Sequence, residues 1–210
     1  MKSSKMFSLV AMAAISLIAL AGAGTASATE LYKLTSPNPS DTLGAGTELE
    51  MSLASGTSAL WKQTFNAEYF GNVETCVSGT TRIKIESAGG GEGVHPTGKF
   101  TGFGYGLCAR PMAVLKSGQV EIQHIPGTTN GTVISKEAEV TIYSPIFGVS
   151  CITKTGTGTK TGTLTGATSS TGFATFDVEA SNVPYGICGT IDVTSTFTVT
   201  KPAGLVVEGS

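Results

Sequence analysis

The sequence predicts an all-β protein, either an antiparallel β-sandwich or a barrel-like fold. Three observations support this prediction: apolar and polar residues alternate in many short runs, turn-forming residues separate the runs, and the chain has four cysteines, an even number. Because successive side chains of a strand point to opposite faces, alternation places one face against a core and the other in water. Many short strands with turns between them are typical of sandwiches and barrels, so both remain open, as do two related Cys-bridged β-modules packed together.

The alternating runs extend along the chain from residue 48 to residue 199. Turn-forming pairs such as Pro126-Gly127 and Asn130-Gly131 lie between them. Residues 58–69 are ambiguous, because their apolar spacing fits a short helix or two strands. The residues predicted to face inward are Leu49, Met51, Leu53, Ile83, Ile85, Val120, Ile122, Ala138, Val140, Ile142, Ala174, Phe176, Val178, Ala180, Ile191, Val193, Phe197 and Val199.

The first 28 residues have the three parts of a secretory signal peptide. Lys2 and Lys5 give a positive start, residues 6–21 form an apolar run, and Ala26-Ser27-Ala28 matches the small-x-small pattern that signal peptidase cleaves. The apolar run is shorter than the ~20 residues of a bilayer-spanning helix. We therefore predict a signal peptide over 1–28 and a mature domain over 29–210 that has no membrane span. Such a chain is secreted to the extracellular space or the cell envelope.

The net charge of the chain is small and negative. Thirteen Lys and Arg stand against fifteen Asp and Glu, a formal net charge of −2, and removal of Lys2 and Lys5 leaves 11 basic residues and a charge of −4 (11 − 15). A chain without a basic cluster lacks the electrostatic surface that nucleic acids and anionic lipids require. We predict no nucleic-acid partner and no cofactor, and an extracellular or envelope partner whose identity the sequence does not give.

The four cysteines predict two structural disulfides, since an exported chain with an even number of cysteines is typical of a disulfide framework. Four cysteines allow three pairings. Two similar strings, residues 105–108 (Tyr-Gly-Leu-Cys) and 185–188 (Tyr-Gly-Ile-Cys), suggest an internal repeat of 70–127 and 147–202. That repeat selects Cys76 with Cys108 and Cys151 with Cys188. The tight Cys-x-x-Cys spacing of metal and redox sites is absent from the sequence.

Motifs of hydrolases and nucleotide-binding proteins are absent or incomplete. Residues 93–99 have the spacing of a phosphate-binding loop, but Phe100 follows where the motif needs Ser or Thr, so we interpret the segment as a loop. Neither Gly-x-Ser-x-Gly nor His-Glu-x-x-His occurs. We expect His95 to be an exposed loop residue and His124 to be a partly buried, hydrogen-bonded residue on the core side of a strand. We predict no catalytic, cofactor-binding or metal-binding residue.

Three other patterns allow a functional and a structural interpretation. Threonine occupies every odd position from Thr153 to Thr165, which predicts one solvated face of a strand, with an ice-binding array as the alternative. Acidic residues on strand faces are interpreted as solvated, with a carboxylate pair for glycoside hydrolysis as the alternative. Aromatic residues are interpreted as core, with a sugar-stacking platform as the alternative. These aromatic residues are Trp61, Tyr69, Phe70, Phe103, Tyr105 and Tyr185.

The signal segment, the Glu30-Leu31-Tyr32 start and the two Tyr-Gly-aliphatic-Cys strings resemble small secreted β-rich proteins of actinobacteria to which no function is assigned. The resemblance implies a secreted β-rich product and no catalytic or ligand-binding residue. The leading hypothesis is a non-enzymatic secreted or cell-envelope-associated protein that acts as a structural or binding component. The alternatives are an extracellular hydrolase of envelope or polymer substrates that uses carboxylates or His124, and a surface adhesin or carbohydrate-binding module. A β-scaffold by itself does not choose between them.

Overall fold

The computed structural model describes residues 28–34, 41–66, 68–110 and 112–209, with the side chains of Tyr69, Phe70 and Phe103 excepted. Within these ranges the protein is all-β, as predicted, and no helix has the length and apolar character needed to cross a membrane. The predicted signal peptide lies almost entirely outside the described residues. The strands are β1 Thr29–Lys33, β2 Asp41–Thr42, β3 Glu48–Leu53, β4 Ala59–Phe65, β5 Glu68–Ser87, β6 Thr97–Cys108, β7 Met112–Lys116, β8 Gln119–His124, β9 Gly131–Lys136, β10 Glu139–Ser144, β11 Val149–Lys154, β12 Thr159–Thr165, β13 Thr175–Pro184, β14 Thr190–Lys201 and β15 Leu205–Gly209, and a 3-10 helix spans Gly186–Cys188.

Eight antiparallel strands close into a barrel. Their order is β13-β12-β9-β8-β6-β5-β3-β14, and β14 pairs back with β13 to complete the ring. The alternation predicted from the sequence supplies the inward-facing side chains, and each buried aliphatic or aromatic side chain contributes about 1.5 to 3 kcal/mol. The first core consists of Leu31, Leu49, Met51, Ile83, Ile85, Val120, Ile122, Val133, Leu164, Ala174, Phe176, Phe197, Val199, Leu205 and Val207. A small sheet of order β15-β1-β2 supplies three of these side chains, so it packs against the barrel core.

Strands β5 and β14 of the barrel continue beyond the ring, where both pair with β4. Strands β3 and β4 both pair antiparallel with β5 and with β14, so together they form one long strand interrupted by residues 54–58. The ambiguous segment 58–69 is therefore strand β4 and the start of β5, not a helix. Strands β5, β14 and this interrupted strand therefore form a sheet that extends beyond the closed ring.

A separate three-stranded sheet, of order β11-β10-β7, covers the extension. Its strands are joined through short segments to β12, β9 and β8, which are neighbours in the same order within the barrel. Backbone hydrogen bonds join two of these short connecting segments to each other. The Glu137 amide donates to the Thr155 carbonyl (3.1 Å), and the Thr155 amide donates to the Ala138 carbonyl (3.0 Å). The ring thus opens into two facing sheets, because β7 pairs with β10 and, among the described strands, not with β6.

We call the eight-stranded ring and the first core the closed half. We call β4, β7, β10, β11, the 3-10 helix and the adjoining ends of β5, β6, β13 and β14 the open half. The open half has its own core, and the hydroxyl of Tyr185 donates to the Ile142 carbonyl across it at 2.7 Å. This second core consists of Trp61, Val73, Val140, Ile142, Cys151, Ala180, Val183, Tyr185, Cys188, Ile191 and Val193.

Both predicted disulfides form, and both lie in the open half. Cys76–Cys108 joins β5 to β6, and Cys151–Cys188 joins β11 to the 3-10 helix. The two similar strings that selected this pairing differ in backbone, since 105–108 ends strand β6 and 185–188 includes the 3-10 helix. The internal repeat over 70–127 and 147–202 stays a prediction.

The threonine run does not form one strand face, so that prediction is wrong. Strand β11 ends at Lys154 and β12 begins at Thr159, with a turn between them. Thr153 and Thr161 are buried. A run of alternating threonines has no local signal for the turn beyond its glycines, and here the chain uses those glycines to pass from the open half to the closed half.

Candidate functional site

An internal cavity of about 100 Å³ lies between the two cores. Phe176 and Phe197 of the first core and Trp61, Val140 and Val193 of the second core line it. It lies where three strands leave the ring for the separate sheet. Small side chains contribute to the wall at this level, which leaves the volume unfilled; these are Ser117, Ser135, Ala138 and Ala180.

Aromatic rings fix one side of the cavity. Trp61 on β4 and Tyr105 on β6 meet edge to face, with ring centroids 5.7 Å apart and planes at 87°. Tyr105 also lies 6.1 Å from Phe197, centroid to centroid. Burial raises the pKa of Tyr105 to about 12, and the nearby Ser195 hydroxyl opposes this shift only in part. The phenol is therefore neutral near pH 7.

Two polar atoms of the lining residues have no hydrogen-bond partner. They are Trp61 Nε1 and Thr153 Oγ1, on residues only 4% and 5% exposed. Buried polar groups are nearly always paired, so each exception calls for an explanation. Four other hydroxyl groups of the lining are satisfied: Thr81 Oγ1 donates to the Gly102 carbonyl (3.2 Å), Thr161 Oγ1 donates to the Val133 carbonyl (3.1 Å), and the Ser135 and Thr155 hydroxyls pair at 3.3 Å.

The cavity borders the gap between β6 and β7, where the lining residue Lys116 is exposed. Phe100 and Tyr105 of β6 and Val114 and Lys116 of β7 line it on the two sides of this gap. The two strands follow each other in the chain, but β6 pairs with β8 only through residues 97–99 and β7 pairs with β10. At the rim the Lys116 ammonium forms an ion pair with Glu137. Of the lining residues within the described ranges, Lys116 alone carries a charge.

The two histidines lie away from this cavity. His124 is partly buried, as predicted, and its Nε2 lies 2.7 Å from the Thr128 carbonyl oxygen. The prediction for His95 is wrong: the residue is half-buried, and its Nδ1 lies 2.9 Å from Thr29 Oγ1. Strand β1 covers the glycine-rich loop, since the Gly90 amide donates to the Thr29 carbonyl. Thr29 is only 1% exposed, so its hydroxyl is not accessible to a substrate.

Three of the carboxylates predicted to lie on solvated strand faces, Glu50, Glu121 and Glu139, form ion pairs. Glu121 pairs with Lys136 at 2.7 Å, and Glu139 pairs with Lys154 at 2.9 Å. Glu50 lies between Arg82 and Lys201 in the same way. These contacts do not place two carboxylates face to face in the way that glycoside hydrolysis requires.

A buried carboxylate that the sequence did not reveal lies beside the first disulfide. Glu74 is 1% exposed, its Oε1 accepts a hydrogen bond from the Thr75 amide (2.9 Å), and its Oε2 has no partner. Its carboxylate and the sulfurs of Cys76 and Cys108 lie within 4.8 Å of one another. Because both sulfurs are bonded to each other, they are not available as metal ligands. A bulge in the β4–β5 pairing lies next to Glu74, so simple alternation does not assign this residue to a face.

The aromatic residues whose side chains are described are core, as predicted. Trp61 and Tyr185 are at most 4% exposed, and Tyr105 packs between Trp61 and Phe197. Tyr69, Phe70 and Phe103 have side chains outside the described set. The sugar-stacking platform would need exposed rings, and these three described rings do not provide them.

The cavity itself was not predicted. Inward-facing Ala138 and Ala180 were part of the predicted alternation, but small residues at inward positions are common in close-packed cores. Comparison of the chain with protein-family models, with curated proteins and with solved structures finds no match, so the functional argument rests on the geometry of the cavity.

Proposed function

We propose that the protein is an exported, non-enzymatic binding protein that holds a small, mainly apolar molecule in the cavity between its two cores. The observation that carries this proposal is the cavity, about 100 Å³ of unfilled volume lined largely by aromatic and aliphatic side chains. Protein interiors have few voids larger than a water molecule, and the lining of a void loses dispersion contacts. A bound apolar molecule restores those contacts.

The size of the cavity limits the molecule to about one small ring. An apolar protein cavity of about 150 Å³ takes up benzene. The cavity of about 100 Å³ is somewhat smaller, but it is open toward the gap between β6 and β7. A five-membered ring, or a six-membered ring that extends into the gap, fits this space.

The gap between β6 and β7 gives the molecule a route that does not break the closed ring. Opening it further costs no strand pairing, because these two strands are not paired with each other. The rim ion pair of Lys116 and Glu137 is exposed to solvent, and exposed pairs contribute little to stability. Exchange of the molecule therefore requires only small movements of β7.

Two observations support a role outside the cytoplasm. The start of the chain has the pattern of a secretory signal, and both cysteine pairs are disulfide-bonded. Disulfides persist in oxidising compartments, such as the extracellular space and the bacterial envelope.

The lining supports binding without chemistry. General acid–base catalysis needs a titratable group within hydrogen-bond reach of the substrate. Among the described residues that line the cavity there is no histidine and no carboxylate, Tyr105 keeps its proton near neutral pH, and Lys116 at the rim is paired with Glu137.

Binding is tested by NMR titration of methyl-labelled protein with apolar ring compounds from cyclopentane to toluene. We expect saturable shifts of the methyl groups of Val140, Val178 and Val193, which line the cavity. Ala138→Leu at the rim and Ala180→Leu in the wall should abolish the shifts because they fill the volume. Ala113→Leu, on the exposed face of β7, is the matched control and should leave them unchanged. Absence of saturable shifts in the folded wild-type protein rejects the proposal.

The hydrolase alternative is tested in parallel with ester, peptide and glycan substrates. We expect no turnover above background. Turnover in the wild-type protein that is lost in folded His124→Gln would replace the binding proposal with the hydrolase.

A further inference from the structure

We infer that the molecule held in this cavity is uncharged and carries an oxygen that accepts a hydrogen bond, as a small cyclic ketone or lactone does. This inference rests on the binding function proposed above and names the ligand class of the same cavity. Three features of the lining lead to it: an unpaired donor, an unpaired hydroxyl group on the facing sheet, and the absence of charge from the inner wall within the described residues.

The unpaired donor is the indole N–H of Trp61. An indole nitrogen donates and does not accept, so only an acceptor satisfies it. Its residue is 4% exposed, and edge-to-face packing on Tyr105 limits the orientations of the ring. A buried donor without a partner is costly, and a ligand oxygen would remove that cost.

The unpaired hydroxyl group is that of Thr153. It lies on β11, opposite Val140 in the β10–β11 pairing, and so comes from the separate sheet, whereas Trp61 comes from β4. Each of the two facing walls therefore includes a residue with a buried, unsatisfied polar atom. A hydroxyl group donates as well as accepts, so a carbonyl oxygen suits both atoms.

The charge of the molecule follows from what surrounds it. Lys116 lies at the rim and is already paired with Glu137. Tyr105 is neutral because burial raises its pKa to about 12. An ionised ligand would lose its hydration without gaining a partner on the inner wall, which is strongly unfavourable. A neutral oxygen pays a much smaller desolvation cost.

The test uses a matched pair of probes, cyclopentanone and methylenecyclopentane, which have nearly the same shape and differ in having an exocyclic oxygen or CH₂. Dissociation constants are measured by the NMR titration described above for wild-type protein, Trp61→Phe, Thr153→Val and Thr153→Ser. The measured quantity is the ratio of the two constants in each protein. Because hydration of the free probes is the same in every titration, it cancels when ratios are compared between variants.

We expect the ratio to shift against cyclopentanone by about 2- to 10-fold in Trp61→Phe, in Thr153→Val or in both, the range for loss of one neutral hydrogen bond. Thr153→Ser keeps a hydroxyl group and should keep the wild-type ratio. Cyclopentanecarboxylate should not bind. An unchanged ratio in both Trp61→Phe and Thr153→Val, or tighter binding of cyclopentanecarboxylate than of cyclopentanone, overturns the inference while methylenecyclopentane binding leaves the proposed function standing. If no probe binds, the proposed function itself fails.

Discussion

The closed and open halves of the molecule hold their strands together by different means. In the closed half every strand of the ring has a hydrogen-bonded neighbour on both sides, and both disulfides lie outside the first core. In the open half β7 and β11 are the edges of a three-stranded sheet, and both disulfides lie there. Only Cys151–Cys188 ties together elements that lack backbone pairing, because Cys76–Cys108 joins two strands that already pair. The comparison teaches that the separate sheet depends on a covalent bond where the ring depends on backbone pairing.

The cavity lies at the boundary between these two halves. A fully closed ring of this length would join β6 to β7 along their whole length and would seal the gap between them. In the open half β7 pairs with β10 instead, so the gap is not sealed. Cys151–Cys188 ties the separate sheet to the 3-10 helix that precedes β14. Access to the interior and the need for a covalent tie thus have the same cause, which is that β7, β10 and β11 form a separate sheet and not part of the ring.

The largest effect is expected from Phe197→Ala. Phe197 is 1% exposed, packs against Phe176 and Tyr105, and lies where the first core borders the cavity. Its truncation should lower the free energy of unfolding by about 3 to 5 kcal/mol. Urea unfolding followed by fluorescence and by circular dichroism measures this.

Phe173→Ala is the matched control, since Phe173 is 55% exposed, and its cost should be below about 0.5 kcal/mol. Transitions by the two methods should coincide in the wild type, because the two halves share β5, β6, β13 and β14. Separate transitions would show that the halves unfold independently.

The next effect is expected from the double replacement Cys151→Ala, Cys188→Ala. The bond closes a segment with a sequence separation of 37, and its loss should lower the free energy of unfolding by about 3 to 4 kcal/mol in the chain-entropy model. Hydrogen exchange should accelerate in β10 and β11 and stay slow in β9 and β12.

The matched variant is Cys76→Ala, Cys108→Ala, whose bond joins two strands that already pair with each other. We expect a similar loss of stability without selective exposure of β10 and β11. Equal acceleration in both halves after loss of Cys151–Cys188 would contradict the assignment of that bond to the open half.

A smaller effect is expected from Gln63→Ala, which acts on a polar link across the open half. Gln63 is fully buried, its Nε2 donates to the Cys188 carbonyl (2.7 Å), and its Oε1 accepts from the Ser144 hydroxyl (2.9 Å). Truncation leaves both partners buried and unpaired, at a cost of about 1 to 3 kcal/mol. Gln119→Ala, at an exposed position of β8, is the control for loss of a glutamine side chain, and an equal effect of the two would refute the role of the link.

The smallest effect concerns pH and the ion pair of the closed half. The hydrogen bond from Lys136 holds the pKa of Glu121 below its usual value of 4.5, and partial burial opposes this. Because the folded pKa is depressed, the pair stabilises the protein above the unfolded pKa and loses this contribution as pH falls through the folded pKa. The expected contribution at pH 7 is below about 1 kcal/mol.

This is measured as the difference in unfolding free energy between the wild type and Glu121→Gln at pH 7 and at pH 3. The difference should shrink at pH 3. Glu139→Gln, which removes the partner of the exposed Lys154 ammonium in the open half, is the comparison, and at pH 7 it should lower the free energy of unfolding by less than Glu121→Gln does, because exposed pairs contribute little. A difference that grows at pH 3 for Glu121→Gln would contradict this prediction, because the pair would then stabilise the protein more at low pH than at pH 7.

The sequence by itself determined the fold class, most of the inward-facing residues and the cysteine pairing. Alternation is a local property: the side chains of Ile83 and Ile85, or of Val120 and Ile122, share a face whatever strand lies beside them. The cysteine pairing came from two matching strings within the chain. None of these required knowledge of which strands meet.

The tertiary structure alone decided the ring, its opening and the cavity. Which strands pair depends on contacts between distant segments, such as β13 with β14 and β3 with β5, and alternation is the same for every pairing. The half-burial of His95 depends on β1, which is 66 residues away at Thr29. The cavity exists because β6 and β7, although consecutive, pair with other strands, so that two well-patterned cores meet without filling the space between them.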